Sequence, residues 1–407
     1  MNGVVGVGIF FAPATVAARV PGFAGLLVYA GVALACVPVA LCYARLGSRF
    51  DEDGGPYVWA HAAFGPAAAF GVGWVAWVSS LFSTASVVVG LVSATAEGLG
   101  ATTPGARIAL ALALVSALSL LLATGLRLSA RVWSAVTLAK LAPLALLLAV
   151  AAWRWGSLPA ATPALAPVAS GGALAASLTV LFALQGFEVV PVPAGQVRAS
   201  GRAVPLATLA ALAIGATLYL ALHALCVRAL PALASSATPL ADAAAALGGR
   251  TLGRVVAAGT SLSALGITVG MLAMTPRYLA ALGRPGALGA WLGRASAHAV
   301  PLAAVAVTWG AVSAVVAASL AWGSLARLFA LSSVSVLVQY AVTAASLGRL
   351  ASRGERGLGR GDRLLAPLVG VACALILAGA EPIELALVAS VLALGLVARA
   401  AVSRGGA

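Results

Sequence analysis

Apolar runs long enough to cross a lipid bilayer recur along almost the whole chain, and this recurrence limits the possible folds more than any motif does. A spanning helix needs about 20 predominantly apolar residues. Runs ended by Pro, Gly or Arg clusters predict helices near 3–20, 24–45, 66–95, 106–123, 132–152, 172–194, 206–229, 252–276, 299–318, 324–347, 364–380 and 383–400. Hydrocarbon offers a backbone amide no partner outside its own helix, so the runs predict an all-α polytopic membrane protein of about 12 transmembrane helices. Composition agrees: 62% of the 407 residues are hydrophobic and 8% are charged, whereas soluble domains average about 25% charged. No hydrophilic stretch is long enough to bury a core of its own, so residues 1–407 read as a single transmembrane domain.

The net charge of +14 would suggest nucleic acid if it were taken alone. Position argues against that partner. Lys140 is the only lysine, and the arginines lie mostly at the ends of apolar runs. With a cytoplasmic N-terminus, 16 arginines fall on cytoplasmic ends and loops and 7 on the other side, as the positive-inside rule requires. The Gly- and Arg-rich stretch 349–363 reads as a cytoplasmic linker touching anionic headgroups, which makes membrane lipid a partner. The first residues show no basic segment followed by a cleavage site, so no removable signal peptide is expected. Cys36, Cys42, Cys226 and Cys373 lack CxxC spacing and read as buried thiols.

Two runs are interrupted. The first, MNGVVGVGIFFAP, holds Gly3, Gly6, Gly8 and then Pro13, which weaken a helix at mid-membrane depth. Unwound backbone there must line a cavity or be buried in protein, and close packing through small residues explains the same glycines equally well. The sixth, FALQGFEVVPVPAG, holds Gln185, Gly186 and Glu188 before Pro191 and Pro193. Interrupted helices in corresponding positions of two halves point to a transporter's central site. Freed amides at Gly6, Val7 and Gly8 suit a carboxylate, and freed carbonyls near Ala183, Leu184 and Gln185 suit an ammonium. That polarity fits a zwitterion, with Gly186 and Phe187 completing the expected substrate-binding set. A minority of Ser79, Ser83, Ser261, Ser332 and Ser333 is expected to touch substrate. Phe182, Phe187 and Trp77 either gate the site or simply pack.

The GVGIFFAP stretch, the ARLGSRFDEDGGPYVWAHAAFGP loop running into GVGWVAW, and FALQGFEVVPVPAGQVRASGRAVP resemble the bacterial amino acid, polyamine and organocation permeases. TPRYLAALGRPGAL resembles that family's cytoplasmic loop after span eight. The resemblance covers most of the chain. It implies a LeuT-type five-plus-five inverted repeat with discontinuous helices one and six. Residues 1–152 would form the first repeat, 172–347 the second and 364–400 two additional helices. It further implies a multi-pass protein of the bacterial inner membrane that moves amino acids by alternating access, through proton-coupled symport or exchange.

Glu188 is the one carboxylate well inside a span, and such a group is a functional candidate by default. The resemblance associates an acid here with coupling or gating, while a hydrogen bond holding the unwound segment is the plainer alternative. Lys140, followed by Pro143 in span five, resembles a family lysine whose ammonium stands where related transporters bind sodium; snorkelling is the alternative. Gly54, Gly55 and Pro56 make a turn, and Tyr57, Trp59 and His61 follow in an amphipathic stretch that supports the inner gate. His223 and His298 stand alone and do not read as metal ligands. No side-chain combination offers a nucleophile, base and orienting group, so no catalytic residue, cofactor, metal or enzyme is expected.

Two other readings compete. One is a polyamine or organocation exchanger, against which the lack of any further intramembrane acid argues. The other is an amino acid sensor that does not transport. Only five residues precede Gly6, fewer than in family members, which predicts a start codon upstream of Met1, with a truncated inner half-helix as the alternative that keeps the sensor reading open. Val7 stands where many relatives carry a small polar residue, which shifts the carboxylate onto backbone amides. The sequence fixes neither the particular amino acid nor an oligomeric state.

Overall fold

The structure, a computed structural model, describes residues 8–50, 52, 54–96, 98–125, 130–157, 171–192, 200–283, 287–298, 300–322, 324–355 and 357–405. The described residues form thirteen α-helices and no strand. They are α1 (Gly8–Ala17), α2 (Ala24–Gly47), α3 (Pro56–Phe64), α4 (Pro66–Thr95), α5 (Pro104–Ala123), α6 (Ala130–Arg154) and α7 (Gly172–Leu184). The rest are α8 (Ser200–Ala229), α9 (Pro239–Ala281), α10 (Leu302–Trp322), α11 (Leu325–Ser352), α12 (Arg360–Leu377) and α13 (Pro382–Gly405). Nine of the described helices are long and apolar enough to cross a membrane, while α1 and α7 are shorter apolar pieces. The expected span 66–95 coincides with α4. The expected span 172–194 stops as an α-helix at Leu184, and α9 begins thirteen residues before the expected 252 because it bends at the non-helical Gly248 and Gly249. Of the first interrupted run, Gly8 onward is described, and Gly6 and Val7 lie outside the described residues.

Burial separates a centre from a periphery. Within membrane-length windows, α4 and α11 are 89% and 78% buried, whereas the other seven long helices range from 11% to 44%. An all-round apolar helix with that much burial is a core element. Around this pair, α1 lies against α7, α2 against α8, α4 against α9 and α5 against α10. Each contact joins one span to the one five spans later. All four cysteines are buried and unbridged, and no metal-ligand cluster occurs among the described residues.

The short α3 starts with Pro56 in its first turn, where a missing amide costs nothing, after positive-φ turns at Gly54 and Gly55. Trp59, Ala60 and Ala63 are buried beneath it, and His61 is exposed. The last turn of α11 and the residue that caps it hold this helix in place. Arg349 lies 5.0 Å over the Phe64 ring, and Arg353 donates to the Ala62 carbonyl at 3.3 Å. Part of the stretch expected only to touch headgroups is therefore a clamp on α3.

Two indoles tie α4 to its neighbours. Trp74 Nε1 donates to the Val391 carbonyl of α13 at 2.9 Å, and Trp77 Nε1 donates to Thr308 Oγ1 of α10 at 3.1 Å. Trp77 is thereby a packing and bonding residue between two helices. Trp77→Phe should lower stability by about 1 kcal/mol through loss of that bond. The check is thermal unfolding in detergent, with uptake per folded molecule unchanged.

Candidate functional site

The α7 ladder closes at Gln185, whose amide reaches back to the carbonyls of Leu181 at 3.0 Å and Phe182 at 3.3 Å. Gln185 itself is extended (ψ 152°), and Gly186 has φ 121°, a conformation that a side chain strains. The chain continues as a single 3-10 turn, Phe187–Val189. The carbonyls of Ala183 and Leu184 thus follow the last ladder bond, at the negative end of the helix dipole. The described part of α1 begins with Gly8 against this end. A Cβ on Gly8 would lie 2.8 Å from Ala183 Cα and 3.0 Å from Ala183 Cβ, so the two backbones meet at a distance that only glycine permits. The first described turn of α1 therefore lies against the negative end of α7.

Side chains from α4 and α11 complete this junction. Gln185 Nε2 donates to Ser333 Oγ at 3.3 Å, and the Ser332 hydroxyl donates to Gln185 Oε1 at 3.1 Å. Ser333 also donates to the Leu178 carbonyl at 2.7 Å. The Ser83 and Ser332 hydroxyls lie 2.6 Å apart, and Ser79 donates to the Ser332 carbonyl at 3.3 Å. Four of the five expected serines thus converge on Gln185, whereas Ser261 bonds the Ala257 carbonyl of its own helix. Neutral donors and acceptors dominate this patch.

Glu188 is buried and folds back on its own segment. Its Oε2 accepts the Gly186 amide at 2.7 Å and the Tyr340 hydroxyl of α11 at 3.2 Å. The hydrogen bond that holds the unwound segment together is present in the structure. Beside it, Tyr43 of α2 receives Gln339 Nε2 at 2.9 Å and Thr343 Oγ1 at 3.4 Å. The Tyr43 ring packs edge-on against Trp59, Phe187 and Tyr340, at centroid distances of 5.3, 6.2 and 5.9 Å. The loop before α3 reaches the same place, with the Gly54 amide donating to the Val192 carbonyl at 2.9 Å. On the other side of the serines, Phe182 of α7 stacks on Phe329 of α11 at 4.2 Å. Along α11 the order is Phe329, then Ser332 and Ser333, then Tyr340. At 1.5 Å per residue, the polar patch sits between two aromatic layers.

Lys140 is fully buried on α6, one turn before Pro143, which packs against Gly259 of α9. Much of the first interruption that it was expected to support lies outside the described residues. Tyr43, Phe329, Gln339, Tyr340 and Thr343 were not singled out from the sequence. Gln339 and Tyr340 in SVLVQYAVT are the polar break that could have marked them.

Comparison with known proteins bears on this arrangement. The family model described as amino acid permease matches residues 1–391. The chain belongs to the amino acid permease family. An uncharacterised transporter of Mycobacterium tuberculosis is 32% identical to this permease over 98% of this chain and 88% of its own length. A branched-chain amino acid permease of Bacillus subtilis is 26% identical over 84% and 77% respectively. A vacuolar cationic amino acid transporter of Arabidopsis thaliana is 27% identical over 84% of this permease and 59% of its own length.

The contact between Gly8 and Ala183 gives a direct test. Gly8→Val drives a branched side chain into the α7 backbone and should abolish uptake in cells, with membrane insertion retained. Gly31→Val on α2, where an added Cβ meets nothing within 4 Å, should leave uptake unchanged. Gly186→Ala should cost about 1–3 kcal/mol through its positive φ, read as a lower unfolding midpoint.

Proposed function

We propose that this permease carries amino acids across the cytoplasmic membrane by alternating access around the junction of α1 and α7. The observation that carries the reading is the close approach of Gly8 to the broken end of α7 at Ala183, beside a neutral polar patch and between two aromatic layers. A substrate carboxylate would sit on the amides at the start of α1, including Gly6, Val7 and Gly8. Its ammonium would sit on the carbonyls of Ala183, Leu184 and Gln185. Phe182 and Phe329 would close the outer path, and Tyr43, Trp59, Phe187 and Tyr340 the inner one. The α1–α7, α2–α8, α4–α9 and α5–α10 pairings support two repeats, 1–152 and 172–347, with 364–400 added outside them. Arginine distribution supports a cytoplasmic N-terminus, and with it a cytoplasmic position for α3.

Neutral zwitterions are the favoured substrates. Glu188 is committed to Gly186 and Tyr340, which leaves the serine and Gln185 patch, among the described residues, without a carboxylate for a second cationic group. A dication would have to enter a low-dielectric site unpaired. Proton coupling is the proposed energy source. Glu188 and Lys140 are its candidate residues, with the Lys140 ammonium doing the work of a sodium ion on the first interruption.

Uptake of labelled amino acids into proteoliposomes tests this reading. A proton gradient directed inward should raise uptake several-fold, sodium should have no effect, and Lys140→Ala should remove the response. Excess neutral amino acid should compete, and putrescine should not. Sodium dependence would exclude the lysine role, and competition by putrescine alone would transfer the reading to organocations. Binding of amino acids with no uptake would make the protein a sensor.

A further inference from the structure

The cytoplasmic half of the α2 and α12 pair carries an apolar groove that the transport reading does not use. It has a volume of about 440 Å³ and is lined by Ala35, Pro38 and Leu41 of α2 and by Leu365, Leu368 and Ala372 of α12, among others. The small side chains of Ala35 and Ala372 create the depression. Around it, Leu34, Leu364, Leu368, Val371 and Leu375 are 56–70% exposed, so the groove opens to the lipid and not to the protein interior. It runs from Leu41 and Leu365 at one end to Ala35 and Leu375 at the other. Counted from Leu365 to Leu375 this is about 15 Å of α12, and with the turn from Leu41 to Arg45 added it is the same on α2, the depth of one leaflet's hydrocarbon.

The end of the groove nearest the cytoplasm is basic. Arg45 stands one turn beyond Leu41, with its side chain 61% exposed, and its Nε lies 3.2 Å from Asp362 Oδ1. Asp362 Oδ2 accepts the Gly359 amide at 2.8 Å, so that carboxylate is occupied on both oxygens. Arg360 and Arg363 flank it in the first turn of α12. The Arg363 guanidinium is occupied by the Ala351 carbonyl, to which its Nε and Nη2 donate at 3.2 and 3.0 Å, while Arg360 is exposed, so Arg45 and Arg360 outnumber the one carboxylate at the level where headgroup phosphates lie.

We propose that this groove binds an anionic glycerophospholipid of the cytoplasmic leaflet. One acyl chain would lie between α2 and α12, and the phosphate would sit against Arg45 and Arg360. The length and openness of the groove select a lipid chain, and the surplus of arginine at its mouth selects the anionic headgroup, since a guanidinium and a phosphate form charge-assisted hydrogen bonds. Such a lipid would brace α2 against α12. Because α2 also supplies Tyr43 to the inner aromatic layer, the lipid acts on the same helix as that gate.

Native mass spectrometry of the full-length protein, offered equal amounts of phosphatidylglycerol and phosphatidylcholine with matched chains, tests this without reference to transport. Wild type should retain phosphatidylglycerol preferentially. Arg45→Ala should reduce that preference about fivefold, the effect of one basic residue near a charged surface. Arg360→Ala, which leaves the pair between Arg45 and Asp362 intact, should show the same drop. Ala372→Phe fills the groove with the charges in place and should reduce retention of both lipids. Equal retention of the two lipids by wild type would overturn the proposal, as would a preference that survives both arginine variants.

Discussion

A backbone that stops being helical inside a membrane must find partners for the groups it frees, and the centre of this protein is organised around that requirement. The break at Gln185 and Gly186 is held by the protein's own side chains. Glu188 takes the Gly186 amide, Tyr340 steadies Glu188, and Ser332 and Ser333 hold the Gln185 side-chain carboxamide. The helix that supplies Tyr340, Ser332 and Ser333, α11, and the helix whose serines bond Ser332, α4, are the two most buried long helices. Without them the Gln185 carboxamide and the Glu188 carboxylate would lose buried partners, at a cost of about 1–3 kcal/mol for each unsatisfied group. The carbonyls that remain beyond the last ladder bond, at Ala183 and Leu184, lie beside the start of α1, where Gly8 allows contact.

How much of this was legible in the sequence follows from the kind of signal each part leaves. Membrane-spanning helices declare themselves by length and apolarity, so α2, α4, α5, α6, α10 and α11 lie close to where the runs place them. The break in α7 was legible because Gly186 and a buried acid interrupt an apolar run. The Gly248–Gly249 bend in α9 was not read, because Asp242 and Arg250 interrupt the apolar run there and the expected span begins beyond them, at 252. Serines left a weaker trace. Ser79, Ser83, Ser332 and Ser333 differ from Ser261 only in facing Gln185, and a side chain's facing depends on packing between helices far apart in the chain. Tyr43 and Phe329 read as ordinary core aromatics for the same reason. Their roles arise from partners on α3, α7 and α11.

The basic residues divide by environment in a similar way. Charge counting yields an orientation and a headgroup-facing linker, but not that Arg349 and Arg353 are spent on α3. Nor does it separate them from Arg45, whose neighbour is the lipid-facing groove of α2 and α12. The short α3, the loop that bonds Val192, and the Tyr43 cluster form one continuous layer below the serine patch. Movement of α2 or α3 would therefore be felt at the unwound segment directly, with no long relay between them.

The central claim is that substrate occupies the junction lined by Gly8, Ala183, Gln185 and the serines of α4 and α11. Its most direct test is protection of a cysteine placed in that patch. In Ser332→Cys, with the buried native thiols as background, the labelling rate by a small thiosulfonate should fall when a saturating mixture of the common amino acids is present. Labelling that is unaffected by amino acids while uptake persists would place the substrate elsewhere and contradict the account.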